Sequence, residues 1–508
     1  MNISNYLSFS DTAKFALIAK KILENGQFTT TFNFWNHNFF NTSGILPIYP
    51  YLLSLFFNFF RIRDISILIS SFTFFVLGSI FIYLLTSKLS NKFVGLLSSI
   101  VFLFSPQMIE FAKNGASEVV FIFEILLGLY FITLKNKWSN IGAVVTMILL
   151  YFTRSQAFIY ILGLIIFYFF NNLENKKAIL CSIFTFIVFI VLDLTIFAGL
   201  EGKFFIYSML SRGVDVASNN LPNMAVSDSL RGVVSNPTVL DIFKKVFYNL
   251  YNFYKALPEI INPYMFTLFV LGLFSWGKNK LLDSFKIASL FMIITTFFVT
   301  ALTIPFYRYI HPIIPLVYII AVITLYEIVE YLVSRYEIIK NKQSLAVENG
   351  KKIFTGIVTT CLVLFFAVGQ TVGHFVLDSR FERKIKNVDK PPIYVLMSWK
   401  LKEITNKDQV VLTNLDTWGS WYGERKTIWY PVEPEMIIPE EKRIDAIYLT
   451  SYKMDDENYY MGQKWRELFE NPERQTILPN YKFVGEYEFS ADDNYERESG
   501  RSILLVKN

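Results

Sequence analysis

The sequence is short of almost everything a soluble enzyme of its length places on its surface. Only 18% of its 508 residues are charged, and it holds two Cys and three His. Cys181 and Cys361 fall inside apolar runs, so neither a disulfide framework nor a cysteine metal site is expected. Three His with no clustered ligand set specify no metal or other cofactor, and they neither require nor exclude a divalent cation. No Gly-rich phosphate loop, low-complexity tract or repeat of about 20–50 residues is present. The N-terminus shows no basic stretch followed by an apolar core, so no signal peptide is read there. The net charge of +6 does not point to nucleic acid, because the basic residues sit mostly in short loops between apolar runs.

Apolar surface is what the chain has in excess. It is 53% hydrophobic, with 52 Phe and a mean hydropathy of +0.38. Crossing a hydrocarbon core of roughly 30 Å takes about 20 helical residues. Ten runs read as spans: residues 64–87, 91–107, 116–134, 138–153, 155–171, 177–200, 262–277, 283–303, 306–331 and 353–376. The expected fold is therefore a polytopic α-helical membrane protein. The stretch 45–61 is apolar too, but it is short and interrupted by Pro47 and Pro50. It reads as an interfacial or re-entrant helix.

Lys and Arg in short loops set the orientation. Alternate loops hold thirteen of them, from Lys88 and Lys92 to Lys351 and Lys352, whereas the opposite short loops hold only Lys113, Arg154 and Arg308. The richer side is expected to be cytoplasmic. Three regions follow: an external segment 1–63, a helical membrane domain 64–376 with a long external loop 201–261, and an external domain 377–508. The last carries strand-like stretches at 408–414, 443–450, 481–489 and 502–508 and a helical pattern at 392–406, so a small α/β domain is expected.

This topology brings Asp11, Lys14, Glu110, Lys113, Glu118, Arg154, Arg308 and His311 to one face. A carboxylate can act as general base toward a hydroxyl, and fixed cations can stabilise a departing phosphate. Each residue also has a plainer role. Asp11 suits a helix N-terminus after Ser10, Glu118 an ordinary first turn, and Lys14 a headgroup contact. Arg154 and Arg308 suit snorkelling anchors, and His311 a packed or capping residue. Glu124 and Asp193 lie deeper in apolar runs, where charge is costly.

Several stretches, in order along the chain, resemble the GT-C membrane glycosyltransferases, in particular the protein O-mannosyltransferase, aminoarabinose transferase and RgtA/B/C/D-like branch. "SDTAKFALIAKKILENGQF" (10–28) resembles the first external loop of that family, with Asp11 at the loop acid, Lys14 at the basic position and Phe15 at the aromatic one. "GILPIYPYLLSLFF" (44–57) resembles its Pro-Pro-Leu-Tyr helix. "FSPQMIEFAKNGASEVVFIFEILLGLYF" (104–131) resembles the segment with a second acid, matched by Glu118. "FYRYIHPIIPLVYIIAV" (306–322) resembles the start of a late span, and 408–431 the opening of the external domain.

The resemblance implies a polyprenyl-phosphate monosaccharide as donor, and a glycan, lipid or protein hydroxyl as acceptor, at the outer face of the plasma membrane. Asp11 would be the base of an inverting transfer, with Glu118 beside it. Lys14 and Arg308 would hold the leaving phosphate, with Lys113 and Arg154 as further candidates by position. Three departures stand out. The family carries a span before its acidic loop, Thr12 replaces a second acid, and Ile45 or Leu46 replaces a basic residue of some relatives.

Two other readings compete. An oligosaccharyltransferase is suggested by "TWGSWYGE" (417–424), which lacks the Asp of the Trp-Trp-Asp-Tyr-Gly motif. A lipid-linked glycan flippase or transporter would explain Glu124 and Asp193, but not acids clustered beside a folded external domain.

Overall fold

The structure is a computed structural model, and the residues it describes are 6–7, 10–26, 48–134, 136–154, 156–174, 176–192, 195, 238–277, 279–303, 305–339, 345–375, 390–415, 417–431, 433–454, 461–474 and 476–508. Asp193 and residues 201–237 of the expected external loop lie outside them.

Helices occupy all ten apolar runs. In chain order the first elements are α1 (Ser10–Asn25), α2 (Ile48–Phe60), α3 (Asp64–Leu89), α4 (Lys92–Leu103), α5 (Pro106–Lys113), α6 (Ser117–Thr133), α7 (Lys137–Tyr151), α8 (Ala157–Asn171) and α9 (Lys176–Leu192). There follow α10 (Val239–Lys255), α11 (Leu257–Ile260), α12 (Pro263–Gly272), α13 (Lys280–Leu302), α14 (Ile314–Ile339) and α15 (Leu345–Phe375).

Among the described residues, four of these segments are long and apolar enough to cross a membrane: 64–89, 280–302, 307–335 and 350–373. α4 and α5 make a fifth if taken together, bent by 60°. The expected ten spans are thus ten helical runs of unequal length. The shortening has local causes. Pro106 sits in the first turn of α5, where it can donate no backbone hydrogen bond, and the apolar run 91–107 breaks there. Residues 152–156, which include Arg154, separate α7 from α8. Asn136 and Ser139 form a reciprocal cap that starts α7.

The C-terminal domain opens with α16 (Ile393–Ile404). It adds β1 (Val410–Thr413), α17 (Thr417–Trp421), β2 (Lys426–Trp429), β3 (Ala446–Thr450), α18 (Gln463–Glu470), β4 (Tyr481–Phe489) and β5 (Gly500–Lys507). The sheet order is β2-β1-β3-β5-β4. β1 pairs in parallel with β2 and β3, while β5 runs antiparallel to β3 and β4. β3 is buried along its whole length, as a central strand covered on both faces must be.

Two hydrophobic cores divide the molecule. The larger fills the helical bundle. The second contains the sheet and α16, and it continues into Leu7, Ala13, Ala16, Tyr49, Leu53, Phe57 and Ile67. Helices α1 and α2 therefore share a core with the C-terminal domain. Neither is long enough to bury its apolar face alone, and each fully buried Leu or Phe contributes about 1.5–3 kcal/mol. Leu7, α1 and α2 pack as part of a structure whose other half lies some 400 residues later.

Candidate functional site

The site is built around a sharp turn. Gly115 takes φ +68 between α5 and α6. A Cβ there would stand 2.5 Å from Ile67 Cγ2 of α3 and 3.0 Å from Thr12 Cγ2 of α1. Only glycine tolerates both the backbone angle and the approach. The Gly115 carbonyl accepts hydrogen bonds from Thr12 Oγ1 at 3.2 Å and from the Tyr49 hydroxyl. One carbonyl, with two lone pairs, thus ties α1 and α2 to the start of α6. Phe15 of α1 meets the Tyr49 ring edge-on at 5.2 Å.

That knot sets Asp11 beside Glu118, which lies three residues past the turn. The Arg308 guanidinium is paired and hydrogen-bonded to Asp11, and its Nε lies 3.7 Å from Glu118 Oε1. Arg154 Nη1 lies 2.9 Å from the same Glu118 oxygen and donates to Ser117 Oγ at 2.7 Å. Four charged groups from four separate stretches form one chain: Asp11, Arg308, Glu118, Arg154. Two carboxylates and two guanidiniums sum to zero.

Exposure differs between the two pairs of this chain. The Glu118 side chain is 3% exposed, Arg154 12%, Arg308 28% and Asp11 41%. The inner pair is sealed, and the outer pair opens to whatever approaches. Burial raises the Asp11 carboxyl, but the charge and hydrogen bond of Arg308, followed by the fields of Lys14 and Arg154, outweigh it and hold it at about 2. Asp11 is thus an ionised carboxylate at neutral pH. Among the described residues no three His, Cys, Asp or Glu converge on one point, and each of these two carboxylates faces a guanidinium instead.

The profile of the dolichyl-phosphate-mannose–protein mannosyltransferase family matches residues 45–196, under a third of the chain. No curated protein matches by sequence. Solved structures match over nearly the whole length. ArnT from Cupriavidus metallidurans bound to undecaprenyl phosphate aligns over 99% of this chain and 95% of its own, with TM-score 0.54 and 9% identity. The oligosaccharyltransferase AglB from Archaeoglobus fulgidus, in complex with an inhibitory peptide and a dolichol-phosphate, aligns over 94% of this chain and 69% of its own. Its TM-score is 0.52 and its identity 11%.

The chain has the GT-C fold.

Of the six residues to which the resemblance gave roles, four, Asp11, Glu118, Arg154 and Arg308, stand together. Lys14, one turn along α1 from Asp11, contributes to the field at that carboxylate. Lys113 ends α5, where a cation complements the helix dipole. Thr12, at the family's second acidic position, is 1% exposed and serves as the strut to Gly115. His311 packs its ring 5.4 Å from Phe111. The deeper Glu124 accepts from Thr153 Oγ1 at 2.9 Å, next to Arg154 in sequence.

Sequence reasoning missed a second contact region. Trp421 Nε1 donates to Asp64 Oδ1 at 2.7 Å, and the Tyr422 hydroxyl to Asp64 Oδ2 at 2.8 Å. The same hydroxyl accepts the Leu7 amide at 2.7 Å. The Leu7 carbonyl accepts from the Tyr394 hydroxyl at 2.8 Å and from Trp418 Nε1 at 3.1 Å. The aromatic run "TWGSWYGE" therefore clamps the backbone four residues before Asp11 and the first turn of α3. The sequence marks that run by its likeness to the Trp-Trp-Asp-Tyr-Gly motif, and nothing in it names Leu7 or Asp64 as its partners.

Proposed function

We propose that this chain is a glycosyltransferase that moves a monosaccharide, hexosyl or pentosyl, from a polyprenyl-phosphate donor to an acceptor hydroxyl. The acceptor would be a protein, glycolipid or polysaccharide at the extracytoplasmic face of the plasma membrane. The observation that carries this reading is the chain of charges, whose most exposed members are a carboxylate and a guanidinium already in contact. That the GT-C structures similar to it hold undecaprenyl phosphate and dolichol-phosphate supports a lipid phosphate as the donor's leaving group.

In the reaction, the acceptor oxygen attacks the anomeric carbon from the face opposite the phosphate. The new C–O bond forms as the bond to the phosphate oxygen breaks, inverting the centre. The hydroxyl proton passes to Asp11, and the bond electrons leave with the polyprenyl phosphate. Positive charge develops on the sugar, as in glycoside hydrolysis. Arg308 holds the phosphate at the exposed end of the chain, Arg154 from behind it, and Lys14 and Lys113 add positive potential. Glu118 keeps both guanidiniums in place and neutralises one of them.

The depressed Asp11 carboxyl makes a poor base in the free protein, which gives donor binding a role. A phosphate that draws on Arg308 cancels much of the positive field at Asp11, so its proton affinity rises when the donor is present. The base strengthens only when there is something to transfer.

Mass spectrometry of surface glycans, glycolipids and glycoproteins tests the reading, comparing cells with wild type, Asp11→Asn and no protein. One monosaccharide is expected to be missing from both the null and the variant, with variant protein at wild-type abundance. General-base removal typically costs about 100–10,000-fold in rate. A wild-type glycan pattern in Asp11→Asn would remove Asp11 from the mechanism.

A further inference from the structure

Helix α10 lies in the stretch that the sequence assigns to a long external loop, yet its contacts are those of a helix inside a leaflet. Thr238 and Asp241 cap its start reciprocally. One face buries Lys245, Val246, Asn249 and Phe253. Lys245 Nζ donates to the Thr303 carbonyl at 3.1 Å, and Asn249 Nδ2 to the Ala301 carbonyl at 2.8 Å. Phe253 packs on Phe297 at 6.0 Å between ring centres. As the chain advances along α10, its partners recede from 303 to 301 to 297. The helix therefore runs antiparallel beside the last turns of α13, a segment of spanning length.

Six residues of α13 measure about 9 Å along its axis, so α10 follows the span for about that distance from its end. Its opposite face is an exposed apolar and aromatic stripe. Leu240, Phe243, Phe247, Tyr251 and Tyr254 repeat every three or four residues, and all are more than half exposed. On α13 itself Ile294 and Phe298 are exposed as well, so the stripe continues the surface that this span presents to lipid. The charges fit the same placement. Asp241 and Lys244 stand at the outer end, and the Lys255 ammonium reaches back over the Tyr251 ring at 4.2 Å, as a snorkelling side chain does.

We propose that α10 is inserted into the leaflet on the side of the charged cluster, and that the stripe Leu240–Phe243–Phe247–Tyr251–Tyr254 is a contact surface for membrane lipid. The insertion reaches the cluster through one ring. Phe253 packs against Tyr307 at 6.1 Å, and Tyr307 adjoins Arg308 in the chain. The placement of α10 does not depend on the proposed transfer reaction.

Site-directed spin labelling of the full chain tests it. Cys181 and Cys361 are replaced by Ser, and single nitroxides are attached at Phe247→Cys, Phe298→Cys on α13, and Lys482→Cys on β4. The protein is reconstituted in vesicles of equimolar phosphatidylcholine and phosphatidylglycerol, and collision with oxygen is compared with collision with a water-soluble nickel chelate. The oxygen-to-nickel ratio at 247 is expected to match that at 298 and to exceed that at 482 several-fold. Nickel access at 247 equal to that at 482 would place α10 in water. Exclusion of both reagents would place a protein partner on the stripe. Either result overturns the proposal. Tyr251→Cys gives the same reading if the label at 247 prevents folding.

Discussion

Two aspartates hold the N-terminal helix region in place, and they do so by opposite means. Asp64 receives two neutral donors from fixed aromatic side chains, Trp421 and Tyr422, and each of its oxygens has one partner. Asp11 faces a guanidinium that also reaches Glu118, and its carboxylate is the most open member of its group. The first arrangement is a clasp, since its neutral donors are held in place by ring packing and, for Tyr422, by the Leu7 amide. The second is an exchangeable contact, since an anion arriving at Arg308 can compete with a carboxylate for the same charge. Buried partners stabilise position, and half-open charges permit chemistry. The two regions divide these tasks between them.

The sharpest way to separate them acts inside the cluster. Glu118→Gln removes the charge that neutralises Arg154, a side chain 12% exposed. Breaking a buried pair by removing one partner costs about 3–5 kcal/mol. Detergent-solubilised Glu118→Gln is expected to melt well below wild type, whereas Asp11→Asn, at the open end, melts close to it while losing activity. Equal melting of the two variants would mean that the difference in exposure does not divide structure from chemistry.

The clasp gives a smaller effect of a different kind. Tyr422→Phe leaves the Leu7 amide without its acceptor and Asp64 with one donor fewer. An unsatisfied buried group costs about 1–3 kcal/mol. The expected outcome is a modest fall in melting temperature together with faster proteolytic cleavage ahead of α1. Activity falls as well, because Asp11 lies only four residues beyond the clamped backbone. Unchanged proteolysis would show that the clasp does not hold the N-terminal segment.

How much of this could be read in advance follows from range. The apolar runs are local signals, and each became a helix. The strands at 410–413, 446–450, 481–489 and 500–507 stood out by their apolar residues. β2 did not, because four residues, "KTIW", offer too little alternation to count. Asp11, Glu118, Arg154 and Arg308 were found because topology put them on one face with four other residues and the family resemblance then gave them roles. The Gly115 turn and the Asp64 clasp were invisible for the opposite reason. They join residues 103 and 357 positions apart through single hydrogen bonds, and nothing in either stretch names its partner. The same range explains why α1 and α2 read as a separate segment although their core belongs to the C-terminal domain.

The smallest effect is also the most specific to Asp11. Its carboxyl is held near 2 in the folded protein, below its ordinary value of about 3.9. A group with a lowered folded pKa contributes stability that is fully present above the unfolded value and lost as pH falls through the folded one. The contribution of Asp11 should therefore be constant from pH 7 down to about 4, and fade between about 4 and 2. Because its side chain is 41% exposed, solvent screening keeps it below about 1 kcal/mol. The quantity to measure is the difference in melting temperature between wild type and Asp11→Asn across that range. Saturation with a lipid phosphate should move the fade to higher pH, because an anion at Arg308 returns the Asp11 carboxyl toward its ordinary value. A difference that closes at the same pH with and without the lipid would separate Arg308 from donor binding and leave the ion pair a purely structural contact.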